Sequence, residues 1–186
     1  MTTPITGDTW GDVIEPVREF LLQEATSTFA ILLPKLDAAR GELLAAIEGV
    51  TDSQGAFRPG GGAGEEAWGI AEVLRHLASI EVIMADRIRL LGLGLPVEVT
   101  TTYPGYMEGV ESRSLPELRS VLDQSYAQLL AAIASIEGHE RLDTLEPHRR
   151  FGELNCRAWL VMHGLHIQDH ARQIGRLKAL PGYPDF

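Results

Sequence analysis

Twelve residues near the C-terminus, HGLHIQDHARQI (His163 to Ile174), hold three of the chain's six histidines. An imidazole can be a general acid or base, a ligand for Zn, Ni, Cu or Fe, or simply a polar residue of a packed helix. At about 100° per helical residue, His163, His166 and His170 fall within an arc of about 60°. Cys156, Trp159, Gln173 and Leu177 lie near the same stripe, so the rings point toward a core. Both nitrogens of a buried imidazole need partners, and three rings on one stripe are hard to satisfy from backbone alone. A divalent metal would satisfy them, because one helical turn presents two rings at chelating separation. Geometry alone leaves three readings open: His163 with His166, His166 with His170, or hydrogen-bonded core histidines and no metal.

A metal needs a further ligand from another segment. His76 is the one histidine of the second helical stretch, three residues after Val73 and four before Ile80, both on that helix's apolar stripe. His139 and His148 fall in the polar loop EGHERLDTLEPHRRFGE, where solvated rings are expected. Other metal patterns fail. HExxH needs Glu after the first His, where Gly164 stands, and a di-iron Glu-x-x-His pair needs three residues where Glu72 and His76 are four apart. Cys156 precedes His166 by ten residues, about 15 Å along a helix, so it reads as a buried structural thiol.

The elements that must position these residues are helical. Four amphipathic stretches, with no alternating run long enough for a sheet, give an all-α class. The first spans Pro16 to Glu48, with Pro34 expected to kink or split it. The second spans Gly69 to Leu91, Gly69 serving as the cap and Glu72 as half of a capping box; the third spans Leu115 to Ile136 behind Ser114, with Glu117 completing its box. The fourth spans Gly152 to Ala179 and stops at PGYP. The connector GVTDSQGAFRPGGGAGEEAWG is glycine-rich and reads as flexible; it lacks the Lys-Ser/Thr of a phosphate-binding loop. Between the second and third helices, GLGLPVEVTTTYPGYMEGVESR could return along a whole bundle at about 3.3 Å per residue, so those helices can be parallel neighbours or distant.

With 186 residues and 45% hydrophobic content, the chain fits one ordinary soluble domain. A net charge of -10 with no basic block makes nucleic acid and anionic membranes poor partners. One cysteine forbids an intrachain disulfide, no apolar run approaches the about 20 residues of a membrane span, and the start MTTPITGDTWGD lacks signal features, so a cytoplasmic location is expected.

Two segments together, WGIAEVLRHLASIE (Trp68 to Glu81) and HIQDHARQIGRL (His166 to Leu177), resemble the DinB-like (DinB/YfiT-type) superfamily of small bacterial four-helix proteins. That family carries W-S-x-x-E-x-L-x-H-L-x-x-x-E at the start of helix two and H-x-x-x-H-x-x-Q-I on helix four. The approach segment GVTDSQGAFRPGGGAGEEAW is similar as well. Gly69 departs from the family's Ser or Thr, and Asp169 stands where many relatives have another histidine.

The resemblance implies one four-helix bundle domain over residues 1–186, with a long crossover between helices two and three. It also implies a divalent metal, zinc or nickel ahead of iron, on His76, His166 and His170. His163 then becomes a neighbour of the site, with Gln173 and Arg172, while Glu72 or Glu81 is expected to orient His76 and Arg172 or Arg75 to meet an acidic cofactor. Characterised relatives include thiol transferases and isomerases that use low-molecular-weight thiols such as mycothiol or bacillithiol. The implied function is therefore metal-dependent thiol transfer to an electrophilic small molecule, by a homodimer. A metal-dependent hydrolase and a non-catalytic, stress- or damage-inducible metal-binding protein are the alternatives.

Overall fold

Apolar periodicity becomes six helices in the computed structural model, which describes residues 13–60, 64–97 and 113–185. They are α1 (Ile14–Glu24), α2 (Phe29–Ala46), the short α3 (Asp52–Gly55), α4 (Ile70–Gly92), α5 (Leu115–Ala134) and α6 (Cys156–Lys178). The bundle is built from α2, α4, α5 and α6. Their inward stripes bury Leu36 and Leu43, Leu74 and Ile88, Leu122 and Leu129, and Ile167 and Ile174. Each such side chain contributes about 1.5–3 kcal/mol of apolar burial.

Contacts along the helices fix their directions. Gly92, at the end of α4, packs so closely on Ile136 that a Cβ there would lie 2.4 Å from the isoleucine Cδ1, and Glu81 meets Ser125 at mid-helix. Helices α4 and α5 are therefore parallel, which requires a crossover between them; its residues 98–112 lie outside the described ones. On α2 and α6, Phe29 faces Arg157 and Glu42 faces Gln168, so these two are parallel as well. The contacts of His76 with His166 and of Arg87 with Trp159 show that α4 and α6 run in opposite directions.

Several sequence expectations are corrected. The first stretch splits at Ala25–Thr28 and not at Pro34: Thr26 Oγ1 donates to the Gln23 carbonyl at 2.7 Å, and Thr28 takes the extended backbone that caps α2. Pro34 lies inside α2, which continues through it without the hydrogen bond its nitrogen cannot donate. The fourth helix starts at Cys156, with Asn155 Oδ1 accepting from the Ala158 N–H at 3.0 Å. Residues 152–154, expected to be helical, instead form β2 (Gly152–Leu154), antiparallel to β1 (Glu146–His148), and Gly152 has a φ of +69°. The connector expected to be flexible holds α3, capped reciprocally by Thr51 and Gln54, and a 3-10 turn at Gly64–Ala67. The Gln54 side chain also donates to the Pro184 carbonyl at 3.0 Å.

Candidate metal centre

The first turn of α4 is set by Gly69, whose N–H donates to Glu72 Oε2 at 2.9 Å. A Cβ on Gly69 would lie 2.4 Å from the Phe57 carbonyl oxygen, so the chain can approach α4 only through glycine here. This turn places Trp68 before the helix and His76 two turns into it. From the antiparallel α6 come His166 and His170.

The three rings converge with centroids 4.5 to 5.1 Å apart. His166 Nε2 stands 3.2 Å from His76 Nε2 and 3.0 Å from His170 Nε2. Nitrogens around a tetrahedral ion with bonds of about 2.0–2.1 Å stand roughly 3.3 Å apart, close to this spacing. His76 and His170 are buried, whereas His166 is partly accessible. Trp68 roofs the group, its ring centroid 4.9 Å from that of His76 and 6.3 Å from that of His170.

One tautomer follows from the hydrogen bonds. Gln173 Nε2 donates to the Glu65 carbonyl at 2.5 Å, which turns its Oε1 toward His170 Nδ1 at 2.7 Å. That oxygen only accepts, so Nδ1 carries the proton and Nε2 of neutral His170 presents a lone pair. The other two Nε2 atoms crowd the same point. A proton on His166 Nε2 serves one of its two close contacts well and leaves the other poorly matched. A cation among the three nitrogens removes the mismatch, so the donor set fits a metal.

Burial and the neighbouring rings keep the group neutral. Desolvation, followed by His170 and His163, holds His76 down to about 3. His166 is pushed well below the usual imidazole range by burial and its neighbours, and burial also lowers His170 against the raising effect of Gln173. Neutral imidazole is the form that ligates metal.

The other expected residues are placed differently. His163 is fully buried, 6.3 Å from His166 between ring centroids, and neither ring nitrogen has a hydrogen-bond partner among the described residues. Glu72 and Glu81 each have other partners. Glu72 is occupied by the Gly69 N–H and Arg58, and Glu81 by Arg40 and Ser125, more than a turn farther along α4. The partner that orients His170 is Gln173. Arg172 is exposed on α6, and the arginines beside the site are Arg150 and Arg176.

His148 is not solvated: it stacks on Phe151 at 4.8 Å and accepts from the backbone N–H groups of Arg150 and Phe151 through Nδ1. Only the hairpin, absent from the sequence expectation, would have revealed this. Cys156 is buried, and desolvation, followed by the nearby Glu140, raises its thiol to about 11, as suits a structural residue.

Comparison with known proteins agrees with the helical-bundle architecture. A model of the DinB superfamily matches residues 35–174. The chain is 28% identical over 155 residues to the uncharacterized protein YuaE of Bacillus subtilis, covering 75% of this chain and 93% of that one. Among solved structures, TT2238, described as a four-helix bundle protein, superposes with a TM-score of 0.54 at 25% identity, over 82% of this chain and 100% of that one. No helix among the described residues is long and apolar enough to cross a membrane.

Proposed function

The chain belongs to the DinB superfamily, and on that premise we propose that it holds zinc or nickel on His76, His166 and His170 and transfers a low-molecular-weight thiol to an electrophilic small molecule in the cytoplasm. The observation that carries this reading is the convergence of three neutral Nε2 atoms, with neighbours 3.0 and 3.2 Å apart. When bound, a divalent ion on three uncharged ligands keeps its charge and an open position, where it lowers the pKa of a thiol or water by several units.

The chain's own residues supply the rest. Gln173 keeps the proton of His170 on Nδ1, away from the convergence point. Trp68 covers the His76 and His170 rings, and His170 also faces the neighbouring cleft, from which reactants reach the cluster. With no carboxylate in the triad, the ion's charge remains available to an incoming sulfur.

The test is turnover of a generic electrophile, 1-chloro-2,4-dinitrobenzene, by metal-loaded protein with a panel of bacterial thiols. The expected result is thiol-dependent chloride release that chelator abolishes and metal restores. Thiol-independent turnover would replace this reading with hydrolysis, and loading without turnover would leave a metal-binding protein without this transferase activity.

A further inference from the structure

Beside the histidine cluster lies a cleft of about 570 Å³ whose wall includes His170, Trp68 and Gln173. Its volume lies within the about 300–1,000 Å³ of small-molecule sites. The other lining residues carry both signs of charge: the carboxylates of Glu65, Glu66 and Asp169 and the guanidiniums of Arg150 and Arg176. Pro59, Leu177 and Leu180 add apolar wall. Arg172 and Arg75, the arginines the sequence pointed to for an acidic cofactor, are not among the lining residues.

Three carboxylates against two guanidiniums make this a poor receptor for a polyanion, which would meet like charge on one wall. An uncharged ligand would draw nothing from the exposed Arg150, Glu65 and Glu66. A ligand with one anionic and one cationic group can use both. The arginines come from two elements that meet only in the fold, Arg150 at the tip of the β1–β2 hairpin and Arg176 near the end of α6. The three carboxylates are likewise divided between the 3-10 turn and α6.

We propose that this cleft binds a zwitterion, an amino-acid or short-peptide derivative with a free ammonium and a free carboxylate, Arg150 receiving the carboxylate and Glu65 or Glu66 the ammonium. It deepens the transferase reading and rests on it for the identification of this ligand as the thiol carrier. The fork of a guanidinium matches a carboxylate in two hydrogen bonds, and exposed glutamates suit an ammonium. The apolar wall and Trp68 then receive the remainder of the ligand. His170 on the same wall brings the ligand's sulfur beside the cluster.

The test uses probes whose sulfur is blocked, so that binding does not depend on thiol chemistry. Isothermal titration with S-methyl-L-cysteine, 3-(methylthio)propanoate and 2-(methylthio)ethylamine compares the zwitterion with its anionic and cationic halves, in metal-free and metal-loaded protein. The expected result is binding of the zwitterion at least tenfold tighter than either half in both forms. Arg150→Ala should weaken the zwitterion and the anion and leave the cation unchanged, and Glu65→Gln with Glu66→Gln should do the reverse. Equal or tighter binding of the anion, no binding of any probe, or indifference to Arg150→Ala and to the glutamate pair overturns the proposal. Zwitterion binding in a protein that fails to load metal would retain the cleft and remove the transferase reading, so the two fail separately.

Discussion

The bundle buries two polar clusters, and they are completed in opposite ways. At mid-bundle, Arg40 of α2 donates to Glu81 of α4 at 3.2 Å and to the Leu122 carbonyl and Asp123 of α5 at 3.2 and 2.6 Å, while its guanidinium lies 4.1 Å over the Tyr126 ring. Ser125 reaches the second oxygen of Glu81 at 2.5 Å, and Tyr126 donates to Asp37 at 2.5 Å. Charges, donors and acceptors meet complements, so this cluster ties three helices together unaided. At the end where α4 begins, three imidazoles bring ring nitrogens to one point, and the hydrogen bonds available do not satisfy them together. A complete network specifies packing; a converging set of neutral nitrogens suits a cation.

The largest expected difference between the clusters is in stability. Arg40→Ala strands the fully buried Glu81, and breaking such a pair costs about 3–5 kcal/mol in denaturant unfolding. His166→Ala in metal-free protein should cost less than about 1 kcal/mol, because it removes a mismatch along with a partly accessible ring. Equal losses would make the histidines a structural network like the first.

The next effect sharpens the role of Gln173. Gln173→Leu should weaken metal affinity by about 10–100-fold, the usual cost of losing a ligand's hydrogen-bond partner, while unfolding of the metal-free protein changes little. Competition with a chromophoric chelator reads this directly, and Gln173→Glu, which still accepts from Nδ1, should retain most of the affinity.

A smaller effect concerns pH. Burial raises Glu81 to about 7 against an ordinary 4.5, with Ser125 and Arg40 opposing the rise. Between those values the folded state binds more protons than the unfolded chain, so this residue's contribution to stability falls as pH rises through 4.5 to 7. Glu81→Gln should remove that decline from the difference between the two proteins' stability curves. His148 works in the opposite direction: burial, then the nearby arginines, lower it to about 4, so its contribution is lost as pH falls from 6.5 toward 4, and His148→Phe should lessen the acid sensitivity.

The two clusters also differ in how far sequence alone could reveal them. The inward stripe of His163, His166 and His170 follows from helical spacing, but which two rings meet His76 depends on where α4 crosses α6, and spacing on one helix contains no information about that crossing. Family resemblance supplied the pairing of His166 and His170 with His76. His163 shares the stripe and faces the core, yet it lies one turn below the convergence point. Arg40 gave no signal in the sequence, since a lone arginine on an amphipathic helix reads as solvent-facing until Glu81 and Asp123 are brought to it. Glu81 was legible as a family position but not as an arginine partner. The hairpin escaped because three-residue strands are too short to show alternation, and with it went the packing of His148 and the position of Arg150. The bundle itself was the most legible feature, because its long apolar stripes repeat over many turns.

The histidine cluster is proposed to hold a cation. The most direct measurement is elemental analysis of the full chain purified without a histidine tag, alongside His166→Ala. The account predicts one divalent ion per chain in the former, zinc or nickel, and its loss in the latter. No stoichiometric ion in the native chain, even after exposure to zinc and nickel, would contradict it.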